Sequence, residues 1–350
     1  MSVLTPARAA FLAAAVGLVA IAGTASAQAP KANGETLKIQ NYSGTTGNMH
    51  AIVAKAKGFC EKYNFHCEPT TINSTSLGLQ ALIGKSIDVT QGGADLLAAS
   101  ILAGADIRII GLSLPNNVLS VSVRNDVPLA HRKDGYPAMM QDLKGKKIGV
   151  AARGTSSEKY FNMMLGEGGL KPEDVTYVAI GNPVTGYAAL AVGKQIDAII
   201  MYQPLTQICQ FNKTCETVID MTIGEGPKSV QATSGANVVF SARREMADGN
   251  PELMKAFYAA MTDTATWFND PANFEELVTI FKPIISFGDL EGADEMRRSW
   301  IKSVIPAYSK DLVVKRSGLQ QILNDSYDQK IIDKKLDAKD VLWDKAPQIP

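Results

Sequence analysis

The sequence predicts an α/β protein of two similar lobes followed by a helical C-terminal region. Strand-length apolar runs alternate with helix-length amphipathic stretches in residues 37–112, and the alternation restarts at residue 147. The joint at residues 83–88 (IGKSID) recurs at residues 192–197 (VGKQID), each time between a predicted helix and a predicted strand. This long spacing fits two lobes better than a solenoid. The alternative is coincidence between two common helix–glycine–strand joints.

The first lobe begins with a strand that runs into a polar, glycine-bearing loop. From Met49 the apolar residues follow the i, i+3, i+4, i+7 spacing of an amphipathic helix. Gly84 follows a second helical pattern and is expected at its C′ position, where glycine adopts a positive φ without strain. This order predicts a largely parallel sheet covered by helices. The predicted elements are strand 37–40, helix 49–63, strand 66–71, helix 74–83, strand 87–90, helix 95–102 and strand 107–112.

The second lobe repeats this order, and the remainder of the chain is helical. Gly154 allows a tight turn before a helix, and Gly193 closes the next helical pattern. Beyond Pro251 the apolar spacing is almost entirely that of helices. The predicted elements are strand 147–150, helix 158–165, strand 176–180, helix 185–192, strand 196–201 and the C-terminal helices 252–268, 272–281, 292–304 and 312–323.

Composition excludes several classes of protein. The 350 residues are 46% hydrophobic, which is enough for packed cores and excludes global disorder. Lys and Arg together number 35 and so do Asp and Glu, and a nucleic-acid-binding protein would carry a basic excess. With 3 His and 4 Cys, the chain has little material for a metal site. We therefore predict no metal, no cofactor and no nucleic-acid partner.

Residues 1–27 have the pattern of a secretory signal peptide. Arg8 precedes an apolar stretch at residues 9–22, and Ala25-Ser26-Ala27 is the small-x-small pattern of a cleavage site. The apolar stretch is short for a membrane span, although a retained N-terminal anchor is the alternative. The mature chain is expected to begin at Gln28 and to be exported and soluble.

The four cysteines fall in two close pairs. An even number of cysteines in an exported protein predicts disulfides, here Cys60–Cys67 and Cys209–Cys215. Each bridge is expected to join the end of a helix to the next strand. A metal site is the first alternative, although C-x6-C and C-x5-C are poor zinc spacings. The second alternative is that all four cysteines are reduced and buried.

Four segments resemble motifs of periplasmic solute-binding proteins. Residues 54–62 (AKAKGFCEK) resemble the A-x-x-x-G-F-F-E-K helix of that family, and residues 82–89 (LIGKSIDV) resemble its L-x-x-G-x-I-D-V joint. Residues 142–150 (DLKGKKIGV) resemble its entry to the second lobe, and residues 192–198 with Gln203-Pro204 resemble G-x-I-D-A…x-P. The order and spacing of these segments are similar to the nitrate, sulfonate, taurine and thiamine-precursor group of ABC importers.

The resemblance implies a two-lobed periplasmic binding protein fold with two hinge crossings, at residues 119–123 and 238–241, and a helical C-terminal region. The implied division is signal peptide 1–27, lobe 1 28–118, lobe 2 124–228, and lobe 1 return with C-terminal helices 238–350. The implied protein is a monomeric periplasmic receptor that closes on a small-molecule ligand. It would deliver that ligand to an ABC transporter permease and would contact the membrane only through the permease.

Ligands of open α/β sheets bind at the carboxyl ends of the strands. We expect a small organic anion, a sulfonate or a carboxylate, aliphatic or aromatic, with Arg153 pairing to its charge and the helix that follows Gly154 capped by Thr155 or Ser156. Tyr42 and Tyr202 would pack on its body. The predicted ligand-binding residues are Tyr42, Ser43, Thr45, Thr46, Gln91, Gly92, Arg153, Thr155, Ser156, Ser157, Asn182, Tyr202 and Gln203.

Three other functions fit the same pattern. The ligand could be a thiamine-precursor pyrimidine or a similar heterocycle, or the protein could be a sensory receptor. The third alternative is an enzyme like the related pyrimidine synthases, but their clustered cysteine motif is absent from this sequence. Asp95 and Glu158 are expected to be solvated carboxylates at helix starts, and scattered histidines such as His50 to be structural. We predict no catalytic residue.

Overall fold

Two five-stranded sheets frame the protein in the computed structural model, which describes residues 1–2, 29–285, 287 and 292–350. The predicted signal peptide therefore lies outside the described residues, except for its first two. The strands are β1 Thr36–Asn41, β2 His66–Thr71, β3 Val89–Gly93, β4 Ile107–Leu114, β5 Leu119–Arg124, β6 Lys147–Val150, β7 Thr176–Ala179, β8 Ala198–Tyr202, β9 Cys215–Asp220, β10 Val238–Arg243, β11 Val314–Lys315 and β12 Gln348–Ile349.

Helices cover both sheets and make up most of the chain beyond residue 250. They are α1 Met49–Lys57, α2 Phe59–Lys62, α3 Thr75–Ile83, α4 Ala94–Leu102, α5 Ser156–Glu167, α6 Pro183–Tyr187, α7 Leu205–Asn212, α8 Lys228–Ala232, α9 Arg244–Gly249, α10 Pro251–Asn269, α11 Phe274–Phe281, α12 Ala293–Val304, α13 Arg316–Asp328 and α14 Ala338–Val341. None of the helices in the described ranges is both long and apolar enough to cross a membrane.

The two sheets have the same topology. The first has the order β2-β1-β3-β10-β4 and the second β7-β6-β8-β5-β9. In each, four strands run parallel and one, β10 or β5, runs antiparallel to both of its neighbours. We call the first sheet with its covering helices lobe 1 and the second lobe 2. The α/β prediction is confirmed, and the antiparallel strand in each sheet is the addition that the alternating pattern did not indicate.

The chain crosses between the sheets at residues 115–118 and 233–237, not along the strands predicted for this role. The runs 119–123 and 238–241 are rich in β-branched residues and are therefore taken into the sheets as parts of β5 and β10. The two crossings lie side by side, since the Gly235 N–H and the Asn237 side chain both donate to the Pro115 carbonyl, at 2.7 and 3.0 Å. They form a double hinge between the lobes.

The repeated joint is a structural element in lobe 1. Asp88, its last residue, accepts a hydrogen bond from the Lys38 N–H at the start of β1, at 3.0 Å. Arg243, at the end of β10, donates to Asp88 at 2.9 Å and to the Ile87 carbonyl at 2.7 Å. The side chain of Asp88 thus ties three strands of the first sheet together.

Lobe 2 contains the same arrangement. Asp197 accepts from the Lys147 N–H at the start of β6, at 2.9 Å. Arg124, at the end of β5, lies 3.2 Å from Asp197 and donates to the Ile196 carbonyl at 2.6 Å. Sequence, topology and hydrogen bonds all repeat, so the joint has the same structural role in both lobes.

Gly84, predicted at the C′ position, lies one position earlier as the C-cap, and Gly193, predicted to close the equivalent helix, does the same. Gly84 and Gly193 have negative φ angles, −75° and −81°, and serve as the C-caps. The following lysines, Lys85 and Lys194, take the left-handed conformation, at φ 62° and 49°. The helices nevertheless end at the predicted residues, Ile83 in α3 and Val192 in the π-helical turn Ala188–Val192 that continues α6.

The C-terminal helices do not belong to lobe 1 alone. One apolar cluster joins α1 of lobe 1, α7 of lobe 2 and helices α10 to α12, with Phe268, Phe281 and Trp300 buried at its centre. Gln207 of α7 also hydrogen-bonds Ser303 of α12, at 3.3 Å. The helix predicted at 312–323 begins only at Arg316, because residues 314–315 pair with β12 instead.

Both predicted disulfides are present. Cys60 of α2 is bonded to Cys67 of β2, with Cα atoms 5.9 Å apart, and Cys209 of α7 to Cys215 of β9, with Cα atoms 4.9 Å apart. Strands β2 and β9 are edge strands of their sheets, so each bridge fastens an edge to the preceding helix. Within the described ranges no group of three or more His, Cys, Asp and Glu could hold a metal ion.

Replacing Cys209 and Cys215 together with alanine is expected to lower the free energy of unfolding by about 2–3 kcal/mol. The reason is that the bridge, by closing a short loop, lowers the conformational entropy of the unfolded chain. Urea denaturation of the oxidised protein and the variant measures the difference. The Cys60→Ala, Cys67→Ala double variant is the matched comparison and should lose a similar amount. A difference below about 0.5 kcal/mol in both would contradict a stabilising role.

Candidate ligand-binding cavity

A cavity of about 380 Å³ lies between the lobes at the carboxyl ends of β3 and β8. Lobe 1 supplies the loop after β1 and the start of α3, and lobe 2 supplies the start of α5 and the loop after β8. The hinge crossings and the end of α12 complete the wall. This is the edge at which the strand topology places ligands.

All but three of the predicted ligand-binding residues line this cavity. The three that do not are Ser43, Arg153 and Asn182. Those that do are Tyr42, Thr45, Thr46, Gln91, Gly92, Thr155, Ser156, Ser157, Tyr202 and Gln203.

Arg153 was predicted to pair with the charge of the ligand, but its side chain does not line the cavity. Its guanidinium donates two hydrogen bonds to Glu158, at 2.9 and 2.8 Å, and lies over the ring of Tyr177. The side chain is 61% exposed. Gly154, at φ +72°, turns the chain between Arg153 and the helix, and Glu158 in the first turn of α5 is the partner of the guanidinium. The expected ion pair with the ligand is therefore not available from Arg153.

Ser43 and Asn182 are used in local turns. The Ser43 N–H and hydroxyl both donate to Asn73, at 2.9 and 3.0 Å. The Asn182 side chain accepts from the N–H groups of Val184 and Thr185 and caps α6. Both residue types favour such turns, and that chemistry explains their positions.

The first turn of α5 faces the cavity without a side-chain cap. Thr155 was expected to cap it, but its hydroxyl donates to the Ala152 carbonyl at 2.7 Å. The Ser156 hydroxyl is also occupied, since it donates to Asp95 at 3.1 Å. The backbone N–H groups at Ser156 and Ser157 thus remain as donors at the positive end of a helix dipole.

Contacts across the cavity join the two lobes. The Thr45 hydroxyl donates to the Gln203 carbonyl at 3.2 Å. On another side, Lys159 of α5 and Asp95 of α4 form an ion pair of 3.3 Å whose side chains are 4% and 2% exposed. Asp95 is therefore buried, contrary to the expectation of a solvated carboxylate. Glu158 is also paired, with Arg153, and neither acid is placed to act on a ligand.

Two tyrosines form the aromatic part of the wall. The rings of Tyr42 and Tyr202 meet edge to face, with centroids 6.3 Å apart. The Tyr42 hydroxyl donates to the Gln91 carbonyl at 2.5 Å. Burial raises the pKa of Tyr42 to about 12 and also raises that of Tyr202, so both are neutral phenols at physiological pH. They can contact an apolar or aromatic body through their rings.

The wall has almost no formal charge. Among the described residues that line it there is no Lys, Arg or His, and Asp220 is its one acidic residue. Hydroxyl and amide groups supply the remaining polarity. An anion in this cavity would therefore be bound by neutral donors and by the helix end, not by a salt bridge.

Sequence reasoning missed one side of the cavity. Gln207 and Gln210 of α7, the segment 220–223 and the end of α12 with Tyr308 all line it. Gln207 lies four residues after Gln203, a spacing that places two side chains on the same side of a helix. This spacing could have indicated that Gln207 also lines the cavity. The C-terminal helices carried no motif that pointed to the ligand.

Comparison with known proteins agrees with this architecture. The family model of the NMT1-like family matches residues 31–282. A structure from Bordetella bronchiseptica RB50 superimposes with a TM-score of 0.71 at 21% identity, covering 89% of this chain and 95% of that one. The alkanesulfonate-binding protein SsuA of Xanthomonas axonopodis pv. citri, bound to MOPS, superimposes with a TM-score of 0.68 at 16% identity. The match covers 91% of this chain and 100% of that one.

A more distant match has the same fold. A conserved gene product of Candida albicans, described as having the generic periplasmic binding protein fold, gives a TM-score of 0.66 at 13% identity and covers 90% of this chain and 98% of that one. At these identities the likeness concerns the fold. No protein of curated function has a significantly similar sequence.

Proposed function

Because the chain belongs to the NMT1-like family and has the periplasmic binding protein fold, we propose that it is a solute-binding receptor of an ABC importer. In this proposal it is an exported, monomeric periplasmic protein that passes a small organic anion, a sulfonate or a carboxylate, to a permease. The leader at 1–27 is part of the same proposal, with the limits of the lobes moved to the crossings at residues 115–118 and 233–237.

The observation that carries the proposal is the position of the cavity. A volume of about 380 Å³ suits a small organic molecule. Both lobes and both crossings contribute to its wall, so a bound ligand would hold the lobes together. Affinity for the closed arrangement is what a receptor that signals occupancy to a permease requires.

The anion part of the proposal rests on the first turn of α5. Its uncapped N–H groups at Ser156 and Ser157 provide neutral donors with a favourable dipole. The SsuA protein of Xanthomonas, of similar fold, binds MOPS and is an alkanesulfonate-binding protein. The body of the ligand would lie against Tyr42 and Tyr202.

The wall favours binding over catalysis. Its described residues include no His and no Cys, and Asp95, the carboxylate that Ser156 contacts, is already paired with Lys159. A heterocycle such as a thiamine-precursor pyrimidine is the second candidate ligand. The edge-to-face tyrosine pair favours it, because aromatic rings pack well against such a pair.

The Ser156→Ala variant is expected to bind a recognised anion about 5-fold more weakly, because a hydrogen bond that joins the lobes is lost. Titration calorimetry follows a thermal-shift screen of alkanesulfonates, aromatic carboxylates, nitrate and pyrimidines. The control is Arg153→Ala, which removes a charge outside the cavity and should leave affinity unchanged. A large loss in Arg153→Ala, with Ser156→Ala unaffected, would place the anion elsewhere.

Saturating ligand is expected to reduce the radius of gyration, since it stabilises the closed arrangement in which Thr45 contacts Gln203. Small-angle X-ray scattering with and without ligand measures this. A bound ligand with no change in the radius would contradict hinge closure.

A further inference from the structure

The C-terminal segment 309–315, here called the brace, runs beside the chain where it leaves the first sheet for lobe 2. The Ser309 N–H donates to the Ser113 carbonyl and the Leu112 N–H donates to the Leu312 carbonyl, both at 2.8 Å. Leu112 and Ser113 lie at the end of β4, directly before the first crossing. The brace is therefore hydrogen-bonded to the point at which this crossing begins.

The second crossing is bound to the brace through Gly235. The Lys315 N–H donates to the Gly235 carbonyl at 2.9 Å, while the Gly235 N–H donates to the Pro115 carbonyl of the first crossing at 2.7 Å. Gly235 has a φ of +91°, and a Cβ atom at this position would lie 2.6 Å from Cβ of Lys315. Only glycine combines this conformation with so close an approach. Both crossings and the brace thus meet at one residue.

The brace itself is held by lobe 1. His50 of α1 donates through Nε2 to the Ser309 carbonyl at 2.8 Å, and Leu312 and Val314 are fully buried in the core of this lobe. The Val314 N–H donates to the Pro347 carbonyl at 2.9 Å, next to the pairing of β11 with β12. The brace therefore moves with lobe 1 when the lobes change their relative position.

A crossing can bend only where its backbone is not fixed to the rest of the structure. Here hydrogen bonds join Pro115 and Gly235 to each other and, through the brace, to lobe 1. We propose that the brace is a third element of the hinge, which fixes the lobe 1 ends of both crossings and confines their bending to the lobe 2 side. Lobe 2 then turns about one defined axis. This inference rests on the proposed function for the motion itself and adds the path that the motion takes.

Lys315→Pro is the direct test, because proline removes the N–H that donates to Gly235 and places a ring carbon there. Lys315 has an exposed side chain and a φ of −86°, close to the range that proline adopts. Lys315→Ala, which keeps the N–H, is the matched control. In hydrogen exchange of the ligand-free protein, the Gly235 amide of Lys315→Pro is expected to exchange at least about 5-fold faster than that of Lys315→Ala, as the loss of one hydrogen bond predicts.

The second readout is the movement of the lobes. Because the four cysteines are bridged, spin labels can be attached to introduced cysteines, Gln80→Cys on α3 of lobe 1 and Lys171→Cys in lobe 2, both at exposed positions. In double electron–electron resonance of the ligand-free protein, Lys315→Pro is expected to show a broader distribution of label distances than Lys315→Ala. A segment that only covered the edge of β4 would leave this distribution unchanged.

Equal distance distributions, or equal exchange of the Gly235 amide, in the two variants would overturn the inference. Neither result would contradict the receptor proposal, which scattering with saturating ligand tests. If Lys315→Pro does not fold, exchange of the wild-type protein decides. There the Gly235 and Lys315 amides are expected to have protection factors within about 10-fold of each other, as parts of one cooperative unit. A larger difference would overturn the inference, because the brace and the crossing would then open independently.

Discussion

Replacing Lys159 with methionine is expected to lower the free energy of unfolding by about 3–5 kcal/mol, because it leaves the buried Asp95 carboxylate without its charge partner. Burial is the largest single influence and lowers the pKa of Lys159, but the charge of Asp95, the hydrogen bond to it and the nearby Tyr160 and Asp325 together raise the pKa overall, so the amine is charged in the folded protein. Ser326 adds a contact to the amine at 3.4 Å. Urea denaturation measures the loss.

Two controls isolate the role of the ion pair. The Lys159→Met, Asp95→Asn double variant should recover most of the lost stability, because it removes both charges together. Arg153→Met breaks the exposed pair with Glu158 on the same helix and should cost less than about 1 kcal/mol. If Lys159→Met were as mild as Arg153→Met, the buried pair would be unimportant for stability.

Acidification from pH 7 to pH 4 is expected to remove about 3 kcal/mol of stability through His50 alone. His50 is fully buried, packs edge to face on Phe240 and Phe268, and donates through Nε2 to the Ser309 carbonyl at 2.8 Å. Its Nδ1 atom is buried without a partner, so a proton there would have no acceptor. Burial lowers the pKa of His50 from 6.5 to about 4.

The direction of the effect follows from these two pKa values. Between pH 6.5 and about 4 the unfolded chain binds a proton at His50 and the folded protein does not, so stability falls as the pH falls through this range. The His50→Gln variant can still donate to Ser309 but cannot titrate. The difference in unfolding free energy between wild type and variant should therefore shrink on acidification. Parallel curves across the range would contradict this assignment.

The sequence predicted the elements of both lobes well, and physical reasons explain why. Strand Lys147–Val150 is a short, largely apolar run after a glycine-containing turn, and the structure reproduces it with the predicted limits. The repeated joint at residues 83–88 predicted two equivalent lobes. Because strand ends in such sheets meet at one edge, most of the cavity wall followed from the same reasoning.

What could not be predicted depends on contacts between distant parts of the chain. The side chain of Arg153 had two possible partners, and a turn at Gly154 with Glu158 nearby decided between them. Gln207 was one polar residue on an amphipathic helix, where the pattern indicates solvent. An amphipathic pattern shows that a helix such as α12 buries one face, but not that the face covers both lobes.

The late return of strand β10 to the first sheet also sets an order in which the two sheets can be completed during synthesis. All five strands of the second sheet lie within Leu119–Asp220, so that sheet can form as soon as this segment has left the ribosome. The first sheet starts earlier in the chain but lacks β10, which lies between β3 and β4. Until residues 238–243 emerge, β3 and β4 are open edges. The lobe that is translated first is therefore finished last, and its unpaired strands are open to aggregation until then.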